Sequence, residues 1–211
     1  MTTTPAITII DYGVGNVASV ANMLKKAGFA SRLSGDPDEV AASPKLILPG
    51  VGAFDRAAGI LRETGLKDAV LAAAQRGAAV LGVCLGMQLL LDGSDEGAST
   101  EAGIGLVPGR VRRFPVEVER AGLKVPHMGW NTITRVGGGD VLPTFRDGDR
   151  FYFVHSYYAD PVDPAHRLAV SRHGIEFTSM VRRDNVVGAQ FHPEKSHRTG
   201  MALLTDFARQ P

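Results

Sequence analysis

An α/β fold, with an open, mostly parallel mixed sheet covered by helices on both faces, is what three features of this 211-residue chain predict. In the first half, short aliphatic runs alternate with segments of helical period, the rhythm of strand–helix–strand units. Those runs end in glycine- or proline-bearing turns, as at Pro49-Gly50-Val51-Gly52 and Gly82-Val83-Cys84-Leu85-Gly86. The second half is rich in strand-like segments joined by short turns, which extends the sheet without adding long helices.

Taken in order, Ala6 to Ile10 is a β-branched first strand running into the turn Asp11-Tyr12-Gly13-Val14-Gly15-Asn16. Val17 to Ala27 places Val17, Val20, Leu24 and Ala27 on one helical face and stops at Gly28. Gly13 and Gly15 lack the third glycine of a dinucleotide fingerprint, so no such site is assigned. Phe29 to Leu33 alternates as a second strand, and Asp36-Pro37-Asp38-Glu39 opens a short helix with a cap residue and a first-turn proline. Lys45 to Leu48 is a third strand, followed by helices over Phe54 to Glu63 and Leu66 to Arg76, the second closed by Gly77. The apolar run from Ala79, a sharp turn at Cys84 and a helical segment to Leu91 come next, and Asp92 to Gly103 reads as a polar surface loop. Strands are expected over Arg110 to Val118, Lys124 to Val136, Arg150 to Tyr158, Leu168 to His173, Ile175 to Arg182 and Asn185 to Phe191. Turns such as Gly137-Gly138-Gly139-Asp140 join them, and a last helix, His197 to Ala208, turns Met201, Leu204 and Phe207 inward.

Composition narrows the function classes. Hydrophobic residues at 44% and charged residues at 21% suit a globular protein, and the length suits a single domain over residues 1–211. A net charge of +1 offers no electrostatic footprint for nucleic acid or a membrane surface. A single cysteine cannot form an internal disulfide. The N-terminus carries no signal-peptide pattern, and the longest apolar run, Ala78 to Met87, is too short to span a bilayer; a cytoplasmic location is expected. No cofactor is implied, and no His or Cys pair has metal-ligand spacing.

The lone cysteine is where chemistry is expected. A buried strand, a tight turn with glycines on either side of Cys84, and a following helix form the layout of a nucleophile elbow. A cysteine nucleophile needs a base, and the base needs an orienting group. His192-Pro193-Glu194, directly after an apolar strand, supplies both, because residues two apart in an extended segment share a side. Charge developing on a carbonyl oxygen would be met by the Leu85 N–H at the start of the helix and by the loop of Gly50, Val51 and Gly52. These three features lie at the C-terminal ends of predicted strands, the edge where open α/β sheets bind ligands. His155 is the competitor to His192 as base, and His127 is assigned no proton transfer; His166 and His173 read as surface residues.

These segments resemble the class I (triad) glutamine amidotransferases, and within them the glutaminase subunits of imidazole glycerol phosphate synthase. The likeness rests on Gly82-Val83-Cys84-Leu85-Gly86-Met87-Gln88, His192-Pro193-Glu194-Lys195-Ser196, Leu48-Pro49-Gly50-Val51-Gly52-Ala53-Phe54, Val125-Pro126-His127-Met128-Gly129-Trp130-Asn131 and Tyr152-Phe153-Val154-His155-Ser156-Tyr157, besides the Asp11 to Asn16 turn. It implies that Cys84 attacks the glutamine side-chain amide to form a thioester, that His192 moves the protons, and that Glu194 holds His192. It further implies glutamine binding by Gly52, Gln88, Glu96 and the backbone around Ser156 and Tyr157, with Glu96 facing the substrate's α-ammonium. The resemblance implies a heterodimer with a barrel-shaped cyclase subunit that consumes the ammonia. Tyr12, Asn16, Met128, Trp130 and Lys195 are the candidates for that interface, with a core position as the other option for Trp130. A cysteine-dependent esterase would share the elbow alone, and an inert domain would need no intact Cys84, His192 and Glu194.

Overall fold

The computed structural model describes residues 7–97, 100–137 and 142–210. Ala6 of the expected first strand, the segment before it and residues 138–140 of the expected glycine turn lie outside the described residues.

The first half runs β1 (Ile7–Ile10), α1 (Val17–Lys26), β2 (Ser31–Ser34), α2 (Pro37–Ala42), β3 (Lys45–Gly50), α3 (Phe54–Glu63), α4 (Leu66–Gln75), β4 (Ala79–Cys84) and α5 (Leu85–Leu89). Local chemistry explains the boundaries. The Asp36 carboxylate accepts the N–H groups of Asp38 and Glu39 while Pro37 takes the first helical position, so α2 begins there. Lys25 and Lys26 end α1, where cations meet the negative end of the helix dipole.

The second half contains β5 (Gly93–Ser94), β6 (Gly109–Arg113), α6 (Val116–Arg120), β7 (His127–Thr132), β8 (Thr134–Arg135), β9 (Arg150–His155), β10 (Tyr157–Pro161), β11 (Arg167–His173), β12 (Ile175–Arg183), β13 (Val186–Ala189) and α7 (His197–Arg209). In the large sheet β2-β1-β3-β4-β13 lie side by side and parallel, and β12 continues the sheet antiparallel to β13. β10 and β6 follow on that edge, while β7 and β9 pair in a small separate sheet.

Side chains alternate between two apolar layers. Ile47, Leu81, Val83, Val187 and Ala189 join the cluster that holds Val20 and Leu24 of α1, Phe207 of α7 and Phe151 and Phe153 of β9. Leu46, Leu48, Val80 and Val186 join the opposite cluster with Val40, Phe54, Leu61 and Val70 from α2, α3 and α4. Central strands are therefore buried on both faces, which is why they read as unbroken apolar runs.

Several expectations are corrected. The strand expected over Arg110 to Val118 ends at Arg113 and gives way to α6, because Pro115 has no N–H for a ladder and suits a helix entry. Arg150 to Tyr158 is two strands: β9 pairs with β7, and past Ser156 the chain crosses to the large sheet as β10. Lys124 to Val136 likewise breaks at Ile133 into β7 and β8, and the loop after Leu91 contains the short β5. On α7 the buried face is Gly200, Leu203, Leu204 and Phe207, with Met201 only half-buried.

Candidate active site

Cys84 ends β4 with φ 55° and ψ −111°, a backbone state that L residues rarely adopt and that projects the side chain out of the turn. Tight packing around it accounts for the flanking glycines. A Cβ on Gly82 would lie 2.7 Å from the Gly86 carbonyl oxygen, and one on Gly86 would collide with the Leu48 carbonyl. The register of β3 on β4 sets Gly50 opposite Cys84, and that of β13 sets Ala189 opposite Val83. The loop after β3 and the segment after β13 thus both emerge beside the thiol. The cleft there holds about 300 Å³ and is lined by Val51, Gly52, Cys84, Leu85, Gln88, Glu96, Pro126, Val154, His155, Ser156, Tyr157, His192 and Lys195.

His192 is buried and held through its backbone, its N–H donating to the Tyr152 carbonyl at 2.9 Å and its own carbonyl accepting from the Ser196 hydroxyl at 2.6 Å. Its Nδ1 lies 2.8 Å from Glu194 Oε1, and the ring lines the same cleft as Cys84, whose thiol lies 4.0 Å from the Val154 carbonyl oxygen. Burial alone would lower the imidazole pKa, but hydrogen bonding and charge at Cys84 and Glu194 outweigh it and raise the value to about 9. The surroundings favour the protonated ring beside Cys84, with Glu194 holding its Nδ1–H.

His155 lines the same cleft in the opposite state. Its Nδ1 lies 2.9 Å from the Tyr157 carbonyl, which can only accept, so Nδ1 carries the proton. Its Nε2 lies 3.0 Å from His127 Nδ1 and is the acceptor of that bond. Burial lowers its pKa to about 3. Both nitrogens are engaged, and burial favours the neutral ring.

Around the thiol, Gln88 donates from Nε2 to the Tyr157 carbonyl at 2.9 Å and to Gln190 Oε1 at 3.1 Å. Gln190, fully buried, places its own Nε2 4.0 Å from Cys84 Sγ. Sequence reasoning passed over Gln190, which follows the last residue of β13 and stands two residues before His192. Glu96 Oε2 accepts the Phe54 N–H at 2.8 Å, capping α3 where Ala53 has no side chain to do so. The same carboxylate faces the cleft. Gly52 adopts φ 97°, a left-handed value that a Cβ would strain, and Leu85 opens α5 with its N–H among the unpaired donors of a first turn.

The interface candidates separate into two groups. Met128 and Trp130 alternate outward from β7 and are 62% and 40% exposed. Trp130 is therefore outside the core, stacked on His197 at 5.4 Å between centroids. Lys195, exposed, sits 5.9 Å from the Tyr152 ring centroid, and Asn16 is exposed at the start of α1. Tyr12 is a correction. It is buried, and its hydroxyl donates to the Pro49 carbonyl at 2.8 Å, fastening the end of β3 beneath the Gly50 loop instead of facing outward. Among the described residues, no group of His, Cys, Asp and Glu could hold a metal ion, and no helix is long and apolar enough to cross a membrane.

Comparison with known proteins follows the same lines. Residues 8–210 match the family described as glutamine amidotransferase class-I. Imidazole glycerol phosphate synthase subunit HisH of Moorella thermoacetica is 45% identical over 95% of this chain and 93% of its own length. Its counterpart in Geobacillus thermodenitrificans is 48% identical over 95% and 94%. In fold, a glutamine amidotransferase crystal structure covers 96% of this chain and 98% of its own, with a TM-score of 0.73 at 19% identity. The structure of PurLQS from Thermotoga maritima covers 97% and 96%, also with a TM-score of 0.73, at 20% identity. The chain thus belongs to the class I glutamine amidotransferase family, among the HisH subunits of imidazole glycerol phosphate synthase.

Proposed function

We propose that this chain, as one domain over residues 1–211, hydrolyses L-glutamine to L-glutamate and ammonia. The observation that carries the proposal is the buried His192, bonded to Glu194 at 2.8 Å and lining one cleft with Cys84 at the elbow. Cys84 sulfur, its proton taken up and held by His192, attacks the side-chain amide carbon as a thiolate. The N–H groups of Leu85 and the Gly50–Gly52 loop meet the oxyanion. The C–N bond then breaks, His192 protonates the departing nitrogen, and ammonia leaves a glutamyl thioester. Water, deprotonated by His192, attacks that thioester and returns the thiol. Gln88, Glu96, Ser156 and Tyr157 hold the amino acid, with the Glu96 carboxylate paired to its α-ammonium.

Ammonia released into bulk water protonates and diffuses away, so the reaction serves biosynthesis only with an acceptor enzyme alongside. The relatives' names support a complex with a second subunit. We assign that role to a barrel-shaped cyclase subunit in a heterodimer, using the ammonia to form imidazole glycerol phosphate and an aminoimidazole carboxamide ribotide in histidine biosynthesis. The setting is the cytoplasm. Met128, Trp130, Lys195 and Asn16 supply an exposed surface for that partner, Trp130 as its aromatic anchor.

The test is glutamate release from glutamine by the purified chain, alone and with the cyclase subunit and its nucleotide ligand. Weak activity alone, strong stimulation in the complex, and a loss on the order of 10⁴-fold in Cys84→Ala are expected. Wild-type turnover by Cys84→Ala overturns the mechanism, and absence of stimulation by the cyclase overturns the partner.

A further inference from the structure

We infer that His127 is a positioning residue for the glutamine pocket, acting through His155 on the Tyr157 carbonyl that orients Gln88. The inference rests on the glutaminase reading for the identity of the ligand, and on geometry for everything else.

The Tyr157 carbonyl accepts two hydrogen bonds, from Gln88 Nε2 at 2.9 Å and from His155 Nδ1 at 2.9 Å, which uses both of its lone pairs. From that fixed acceptor every proton upstream is determined. His155 Nε2 must accept, so His127 Nδ1 donates to it at 3.0 Å. His127 Nε2 must then accept, and Asn131 Nδ2 stands 3.2 Å away to donate. The Asn131 amide is itself oriented, its Nδ2 donating to the Arg172 carbonyl at 2.9 Å and its Oδ1 accepting the Thr132 N–H at 2.8 Å. A single directed chain of donors therefore runs from β7 to the wall of the cleft, and each bond polarises the next.

Neither ring has room to turn. His127 stacks on His173 with centroids 4.3 Å apart and meets Phe177 edge-on at 5.6 Å, while His155 lies 5.1 Å from the same Phe177 and 5.2 Å from Phe114. Burial, and after it the neighbouring imidazoles, favours the neutral form of both rings, as a relay of this kind requires: His127 is lowered to about 4 and His155 to about 3. β7, which carries His127 inward, carries the exposed Met128 and Trp130 outward. The strand thus connects an outer surface to the group that sets Gln88.

The full-length chain tests this with two variants. His127→Phe keeps the ring and its packing but has no donor; His127→Asn places an amide nitrogen near the position of Nδ1. Long-range proton–nitrogen spectra of the imidazoles are expected to show His155 protonated on Nδ1 with Nε2 as a bonded acceptor in wild type and His127→Asn. In His127→Phe that Nε2 signal moves to the free-acceptor position. In a Cys84→Ala background, which binds glutamine without turnover, His127→Phe is expected to raise the glutamine Kd about fivefold, the value of one neutral hydrogen bond, and His127→Asn to stay within about twofold of the parent. If His127→Phe does not fold, Asn131→Leu takes its place: His127 Nε2 then reads as a free acceptor and the Kd rises about twofold. An unchanged spectrum or an unchanged Kd in the donor-less variant overturns the inference, as does a folded His127→Asn that behaves like His127→Phe. Failure of the Cys84→Ala chain itself to bind glutamine overturns the glutaminase reading and this inference with it, whereas binding that His127→Phe leaves unaltered overturns this inference alone.

Discussion

His192 and His155 stand on either side of one cleft, both buried, each with Nδ1 held by an oxygen, at 2.8 Å in one case and 2.9 Å in the other. They end in opposite protonation states. The oxygen on His192 belongs to the Glu194 carboxylate, and its pKa rises to about 9. The oxygen on His155 belongs to a backbone carbonyl and its far nitrogen faces another imidazole; its pKa falls to about 3. Burial presses on both in the same downward direction, so it is the charge of the partner that sets them apart. A histidine in a catalytic cleft is thus made a base or a strut by what lies behind it, and position near the nucleophile decides less than the second bond.

The sharpest way to break this contrast is to remove each ring. His192→Ala leaves the Cys84 thiol without its proton acceptor, and thioester formation is expected to slow on the order of 10⁴-fold in a rapid-quench assay with the complex. His155→Asn retains an amide donor toward the Tyr157 carbonyl, and the same assay should register a loss within about tenfold. The reverse ranking would make His155 the base.

Removing the charge alone is the next step. Glu194→Gln keeps the shape and one hydrogen-bonding atom but withdraws the carboxylate that lifts His192. The His192 titration followed by NMR should move down from about 9. Turnover should fall on the order of 10²-fold, less than for a serine triad because a thiol needs less activation. A His192 titration that does not move would assign its elevation to Cys84 alone.

How legible this was in the sequence follows from the range of each interaction. Cys84 with its two glycines, and His192 with Glu194, are signatures two residues wide, although Glu194 reaches His192 from a 3-10 turn over Pro193–Lys195 and not along an extended segment as expected. The doubly buried strands were equally legible as apolar runs. His127 and His155, by contrast, meet only because β7 and β9 pair in that register, 28 residues apart in the chain. The Glu96 cap on Phe54 spans 42 residues and the Tyr12 anchor on Pro49 spans 37, so no local pattern announces either. Tyr12 was placed at the interface by the resemblance alone; its hydroxyl finds a buried carbonyl that no local pattern contains. Pro115 and the crossing at Ser156 were readable in principle, the first as a ladder breaker and the second only once two sheets are known to exist.

The smallest expected effect sharpens the comparison in the folding equilibrium, where the two kinds of histidine act in separate pH windows. His192 has a folded-state pKa raised from 6.5 to about 9, so its contribution to stability is fully present below pH 6.5 and is lost as the pH rises through 9. His127 and His155 have folded-state values lowered from 6.5 to about 4 and about 3. The unfolded chain binds those protons first, so their contribution is present above pH 6.5 and is lost as the pH falls toward 4 and then 3. Urea unfolding across the pH range should show both flanks, each worth on the order of 3 kcal/mol per histidine. Glu194→Gln should flatten the alkaline flank and leave the acid one, while His127→Phe should reduce the acid flank and leave the alkaline one. Cys84→Ala also weakens the alkaline flank, since the thiol is one of the two partners that hold His192 protonated. If Glu194→Gln changed the acid flank instead, the opposition between the two buried pairs would not hold.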